Sequence, residues 1–212
     1  STDTGAAPAA EEKDAAALPA DAAPAAKAPP DALWRHCGAA LSEEEVYEAM
    51  SGWSFEFSSG AGAWQTGLEV YPDGTFSGQY LDANLGETGE GYEDYGTTYV
   101  CDFTGSFAGA KEVSPFIYEL SLGDVELQQE PGTEVISNGL RLIWTEPYGI
   151  KDTDRLLVYL PGTPVEELPE SYMQQLSLQQ FGCYIGDSYY TDYPEDLPFC
   201  GIYNEAGESA FF

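Results

Sequence analysis

Histidine occurs once among the 212 residues, at His36, and that scarcity removes the commonest general base. Ser-His-Asp and Cys-His catalysis would both depend on this side chain, which sits beside Cys37 at the edge of an Ala/Pro-rich leader, a poor place for preorganisation. Basic residues are nearly as rare: seven Lys plus Arg face 37 Asp plus Glu, a formal net charge of −30. Such a surface repels nucleic acid and anionic lipid faces, which excludes both as partners. The four cysteines (Cys37, Cys101, Cys183, Cys200) form no C-x-x-C, which excludes a redox motif and a Cys-type zinc site. There is no P-loop and no G-x-G-x-x-G after a strand; residues 86–91 spell G-E-T-G-E-G, acidic and hostile to phosphate. No basic n-region with an apolar h-region and no transmembrane run is present. The expectation is a protein that is not an enzyme. A carboxylate-based hydrolase is the enzymatic alternative, and it requires two carboxyls about 5–10 Å apart in unlike environments.

What is present divides at Leu33-Trp34. Residues 1–32 are nearly all Ala, Pro and acid, with Leu18 the only large apolar side chain, too little to offset the entropy of ordering. Pro8, Pro19, Pro24, Pro29 and Pro30 interrupt any helix the alanines start. The expectation is a disordered tether reaching on the order of 100 Å at about 3 Å per residue. It would present one domain, residues 33–212, at the cell surface. The chain starts at Ser1, in keeping with a removed signal, and membrane contact is expected only through an N-terminal anchor. The leader's net charge is −4, so about −26 of the −30 belongs to the body. Solubility, cations, basic peptides and neutral ligands suit that balance, and like-charged copies are expected to stay monomeric. An even cysteine count in an exported chain predicts two disulfides. Three pairings are open, with Cys183–Cys200 and Cys37–Cys101 favoured because Cys183 and Cys200 flank a Tyr-rich loop.

The body opens with a helix: Ser42 as N-cap, Glu45 as its capping-box partner, a Leu41/Val46 staple, and Gly52 as the stop. From Trp53 onward the period is two. Trp64, Thr66, Leu68 and Val70 alternate with Gln65, Gly67 and Glu69; Pro72-Asp73-Gly74 turns the chain; Phe76, Gly78 and Tyr80 continue on the next strand. Tyr99, Cys101, Phe103 and Phe107 share one face of a later strand, opposite Val100, Asp102, Thr104 and Ser106. Further strands are predicted at 116–122, 134–145 with a tight turn at Asn138-Gly139, and 155–160. A second short helix is expected to start at Thr163-Pro164-Val165-Glu166, break at Pro169 and restart toward Met173 and Leu176. Short, evenly spaced strands with Gly and Asp turns predict an all-β barrel or sandwich.

Gly62-Ala63-Trp64, Leu68-Glu69-Val70 and Asp73-Gly74-Thr75-Phe76-Ser77-Gly78 together resemble the opening hairpin of lipocalin-like bacterial domains. The resemblance covers that hairpin and implies a lipocalin-like antiparallel β-barrel, with Arg141 or Arg155 placed over Trp64. The passages YPDGTFSGQYLDANLGETGEGYEDYGTTYVCDFTGSF and YLPGTPVEELPE are similar to a family of uncharacterised secreted lipoproteins from Gram-positive gut bacteria. This second likeness covers most of the body and implies secretion and a lipid anchor, without an activity.

Two segments carry candidate chemistry. The aromatics Trp64, Tyr80, Tyr99, Phe103 and Trp144, with Phe76, are expected to point inward and to line a ligand cavity if the barrel is hollow, or to fill it if not. The acidic, Gly-rich loop 82–94 offers Asp82, Asn84 and Glu87 as oxygen ligands for a hard cation such as Ca²⁺, though its spacing departs from the EF-hand. A Tyr- and acid-rich loop at 187–196 can contact protein or sugar. The functional expectation is an extracellular, non-enzymatic domain binding a small apolar or neutral ligand, or else a surface module contacting an extracellular protein.

Overall fold

The capping box at Ser42 sets where the first helix begins. In the computed structural model the Ser42 N–H donates to Glu45 Oε2 at 2.8 Å and Ser42 Oγ accepts from the Glu45 N–H at 3.3 Å. The structure describes residues 39–60, 62–151, 153–179, 183–185, 188–190 and 194–212, without side chains between 177 and 193. The expected tether, His36, Cys37, the Cys183 side chain and most of the Tyr-rich loop lie outside the described residues.

The elements are α1 (Glu43–Met50), β1 (Ser54–Ser58), β2 (Trp64–Val70), β3 (Thr75–Asn84), β4 (Thr97–Ser114), β5 (Ile117–Leu122), β6 (Glu126–Leu127) and β7 (Glu134–Ser137). Then come β8 (Leu140–Trp144), β9 (Arg155–Tyr159), a 3₁₀ turn (Val165–Glu167), α2 (Glu170–Gln179), β10 (Cys183–Ile185), β11 (Ser188–Tyr190), β12 (Gly201–Asn204) and β13 (Ser209–Phe211). Eight strands run antiparallel in the order β1-β2-β3-β4-β5-β9-β12-β13. The two ends of the sheet meet where Glu56 and Phe212 exchange N–H···O bonds of 3.3 and 3.2 Å. The result is the expected antiparallel barrel, nearly closed, with two short helices. β4 is long enough to serve two neighbourhoods. Its residues up to Ser106 pair with β3, and those from Phe107 pair with β5 across two register shifts. The free edge of its first part carries β6 and, in parallel, β8, which continues to β7 through Asn138-Gly139 with φ of 53° and 79°.

The barrel interior is filled. Phe55, Leu68, Phe76, Phe103, Leu120, Val158, Ile202 and Phe211 point inward and are buried, and Val46 and Met50 of α1 enter from one end. Phe76 stacks on Phe107 at 4.6 Å and meets Phe103 edge-on at 6.4 Å. The rings occupy the space that side chains at two glycines would need. A Cβ on Gly78 would stand 2.3 Å from Phe103, and one on Gly105 would stand 2.4 Å from Phe76.

Outside the barrel, α2 covers β9, β12 and β13 through Tyr172 and Leu176, packed on Tyr159, Tyr203 and Ala210. The strand β12 is therefore buried on both faces, which is why Gly201-Ile202-Tyr203-Asn204 shows no polar alternation. Burial pushes the Tyr172 hydroxyl far up, and its ring meets Tyr159 at 5.0 Å.

The expected disulfides do not form through Cys101 and Cys200. Both are buried free thiols, Cys101 on the inward face of β4 and Cys200 just before β12, each packed into the core cluster. Burial pushes the Cys101 thiol up to about 11, with Asp102 and Glu146 adding to the shift, and burial pushes Cys200 up further. Protonated and enclosed, both are inert toward exchange.

Candidate ligand site at the barrel mouth

One end of the barrel is closed by α1; the other is plugged by the loop 145–151 between β8 and β9. Pro147, Gly149 and Ile150 are buried while Tyr148 stays 49% exposed. Gly149 is required here. Its φ is 90°, and a Cβ would lie 2.5 Å from Phe57. Two fully buried polar side chains fasten the loop. Thr66 Oγ1 donates to the Tyr148 carbonyl at 2.8 Å, and Asn204 Nδ2 donates to the Gly149 carbonyl at 2.9 Å. Asn204 Oδ1 accepts from the N–H groups of Ala206 and Gly207 at 3.1 and 3.2 Å, which sets the turn between β12 and β13.

These constraints stand Tyr148 against Trp64 (4.9 Å, edge-on), Phe57 (5.4 Å) and Tyr80 (5.9 Å). A depression of about 430 Å³ opens beside it, walled by Tyr80, Tyr148, Glu146, Lys151, Asn204 and Ser209 among others. Glu146 and Lys151 pair across its rim. Burial, with Asp82 nearby, pushes the Tyr80 hydroxyl up to about 12, so it is a neutral hydrogen-bonding group at ordinary pH. Among the described residues of the lining, Glu146 is the one carboxylate.

Of the six aromatics expected to line a cavity, the structure brings Trp64 and Tyr80 to the mouth, and Phe76 is buried in the packed interior. Phe103 is fully buried in the packed interior and presents no surface. Tyr99 lies on the inward face beyond the mouth and donates to Glu87 Oε2 at 2.9 Å. Trp144 is on the other side of the sheet: the parallel register sets Ile143 beside Tyr99 and Trp144 beside Val100. Neither arginine stands over Trp64, as the lipocalin resemblance implied; Tyr148 packs there instead, Arg155 pairs with Glu119 and Glu205, and Arg141 is held elsewhere. Tyr148, Asn204 and Ser209 belong to the site although sequence alone did not single them out. The signal for Tyr148 is an aromatic between Pro147 and Gly149 in a connection between strands.

The acidic loop is organised by Arg141. Its guanidinium meets Glu87 Oε1 at 3.2 Å and Glu134 Oε2 at 2.8 Å, and sits 5.4 Å from the Tyr92 ring centre. Glu87 Oε2 also accepts from Asn84 Nδ2 at 3.4 Å, while Asn84 Oδ1 accepts the Gly86 N–H at 3.2 Å. Asp82 accepts from the Tyr80 hydroxyl at 3.5 Å. The oxygens offered for Ca²⁺ at Asn84 and Glu87 thus have internal partners. Among the described residues, no group of three or more His, Cys, Asp or Glu is placed to hold a metal ion.

The structure is a filled antiparallel barrel with a depression at one mouth. No protein-family model, curated protein or solved structure matches the chain.

Proposed function

We propose that the protein is a non-enzymatic binding domain, tethered outside the cell, that takes a small neutral, hydroxyl-bearing ligand such as a short saccharide at the barrel mouth. The observation that carries this reading is the preformed depression between Tyr80 and Tyr148, in a barrel whose interior is otherwise packed. Aromatic rings supply flat apolar area, and Glu146, Lys151 and Ser209 supply donors and acceptors around it. A filled interior favours a polar ligand at the mouth over a buried apolar one. The extracellular, lipoprotein-like setting is supported by the Ala/Pro-rich leader and by the likeness to secreted lipoproteins of Gram-positive gut bacteria. Like-charged copies at a net charge of −30 favour a monomer.

The test is calorimetric titration of the full chain with neutral mono- to tetrasaccharides, repeated with Tyr148→Ala. Binding that weakens at least about tenfold in the variant, with the fold retained, supports the reading. Saccharide binding that Tyr148→Ala leaves unchanged, or no binding across the series, contradicts it.

A second reading, a surface module for protein contacts, is favoured by a different observation: the outer edge of β7 has no strand partner among the described residues.

A further inference from the structure

Among the described residues, β7 has β8 as its only strand partner, and all four of its residues are exposed. The Asn138-Gly139 turn sets Ser137 opposite Leu140 and Val135 opposite Leu142, and the phase of the ladder is fixed by Trp144 N–H donating to the Thr133 carbonyl at 2.9 Å. In an antiparallel pair of this phase, Ser137 and Val135 spend their main-chain groups on β8, whereas the N–H and C=O of Glu134 and Ile136 point away from it, off the edge. The sheet from β1 through β4 and β8 thus ends in an open rung. Val135 and Ile136, both β-branched, are 45% and 44% exposed on its two faces.

The charge around this rung is one-sided. Glu134 lies on the strand, and Glu130 accepts the Thr133 N–H just before it. Gly91 packs on Ile136, a Cβ there lying 3.2 Å from the Ile136 side chain, which brings Glu90 and Glu93 alongside; Asp94 lies against Gly139 at 3.1 Å by the same measure. The cation in this group, Arg141, is held between Glu87 and Glu134. A second copy of the chain would bring the same carboxylates face to face, so these acids guard the edge against self-pairing. They attract a segment of opposite charge.

We propose that β7 is a docking edge for an extended, Lys/Arg-bearing segment of another protein, which adds to the sheet as a further strand. Main-chain bonds to Glu134 and Ile136 supply the pairing, Val135 and Ile136 the apolar contacts, and the surrounding acids the preference for a basic partner. The inference is independent of the mouth depression, which lies on other strands.

The probe is a labelled octapeptide alternating Lys and Val, with its Glu-Val counterpart as control, titrated into the full ¹⁵N-labelled chain. Expected are shifts and slowed amide exchange at Glu134 and Ile136, no binding of the control, and affinity falling on the order of tenfold between 50 and 300 mM salt. Ile136→Pro leaves the net charge unchanged and removes an edge donor that β8 does not use, so it is expected to abolish binding while the melting temperature holds. If that variant fails to fold, a peptide N-methylated along one edge replaces it, and is expected not to bind. The proposal is overturned if the Lys-Val peptide fails to bind at 50 mM salt. Binding as tight to the Ile136→Pro chain or by the methylated peptide, or shifts spread over the acidic surface rather than β7, would identify nonspecific charge attraction and also overturn it. A dimer of the unmodified chain that Ile136→Pro dissolves would assign the edge to a second copy instead.

Discussion

The two ends of the barrel are closed by different means. At one end α1 lays Val46, Tyr47, Ala49 and Met50 onto inward rings, and its contacts are apolar except for a few anchors such as the Leu41 N–H donating to the Tyr118 hydroxyl at 2.8 Å. Tyr47 lies so close over the β2–β3 turn that a Cβ on Gly74 would be 2.6 Å from its ring. At the other end the plug is a loop held by hydrogen bonds from Thr66 and Asn204, and it leaves Tyr148 half in water beside an open depression. Apolar closure contributes stability through burial and leaves no recess. Polar closure holds a loop with less buried area and keeps side chains available for a ligand. The same strands therefore serve stability at one end and, in the proposed function, recognition at the other.

High pH attacks the barrel core, the mouth and the α2 layer together and is expected to have the largest effect. Cys101, Cys200, Tyr80, Tyr159 and Tyr172 all titrate higher in the fold than their ordinary values of 9.0 and 10.0, chiefly through burial. Their folded pKa values are raised, so their contribution is intact below about pH 9 and is lost as pH rises through the folded values, from about 9 toward 12 and beyond. Urea midpoints measured from pH 7 to 12 are expected to be flat up to about 9 and then to fall steeply; a flat profile to pH 11 would mean these groups are not buried as described.

Single substitutions separate the ends. Phe103→Ala in the packed interior is expected to cost about 3–5 kcal/mol by urea denaturation, against about 1 kcal/mol for the half-exposed Tyr148→Ala. Equal costs would erase the distinction. Gly74→Ala and Gly149→Ala, each at a positive φ and against a ring, are both expected to lose about 1–3 kcal/mol. Only the second is expected to weaken ligand binding, because it displaces Tyr148. Ser42→Ala removes one cap bond of α1 and is expected to cost about 1 kcal/mol without touching the mouth. The smallest effect concerns the acidic loop. With Glu87 engaged by Arg141 and Tyr99, millimolar Ca²⁺ is expected to leave the melting temperature unchanged, and a rise of several degrees would show that the cation outcompetes Arg141.

Local signals read from the sequence correspond to local structure. The Ser42/Glu45 box, the β2–β3 hairpin, the Asn138-Gly139 turn and the break at Pro169 before α2 are each determined within a few residues, and each is found. The alternation in β4 puts Cys101, Phe103 and Phe107 on one face, and all three are buried. Long-range placement was not legible. The final hairpin β12–β13 shows no alternation because α2 covers its outer face, and nothing near it in sequence announces that cover. Trp144 was assigned inward by residue type, but its face depends on the parallel pairing of β8 with β4, a contact between residues more than forty apart. The site was half legible for the same reason. Trp64 and Tyr80 lie on regular strands, whereas Tyr148 reaches them only because Thr66 and Asn204 fasten its loop from distant strands.

The central claim is that small-ligand recognition is confined to the mouth of a filled barrel. Its most direct test is a two-dimensional NMR titration of the labelled full chain with a pool of neutral short saccharides. Shifts are expected to cluster at Tyr80, Tyr148, Asn204 and Ser209, with Leu68, Phe76, Phe103 and Leu120 unmoved. Shifts centred on those interior residues would contradict a filled barrel, and a spectrum unchanged throughout would contradict a ligand site at its mouth.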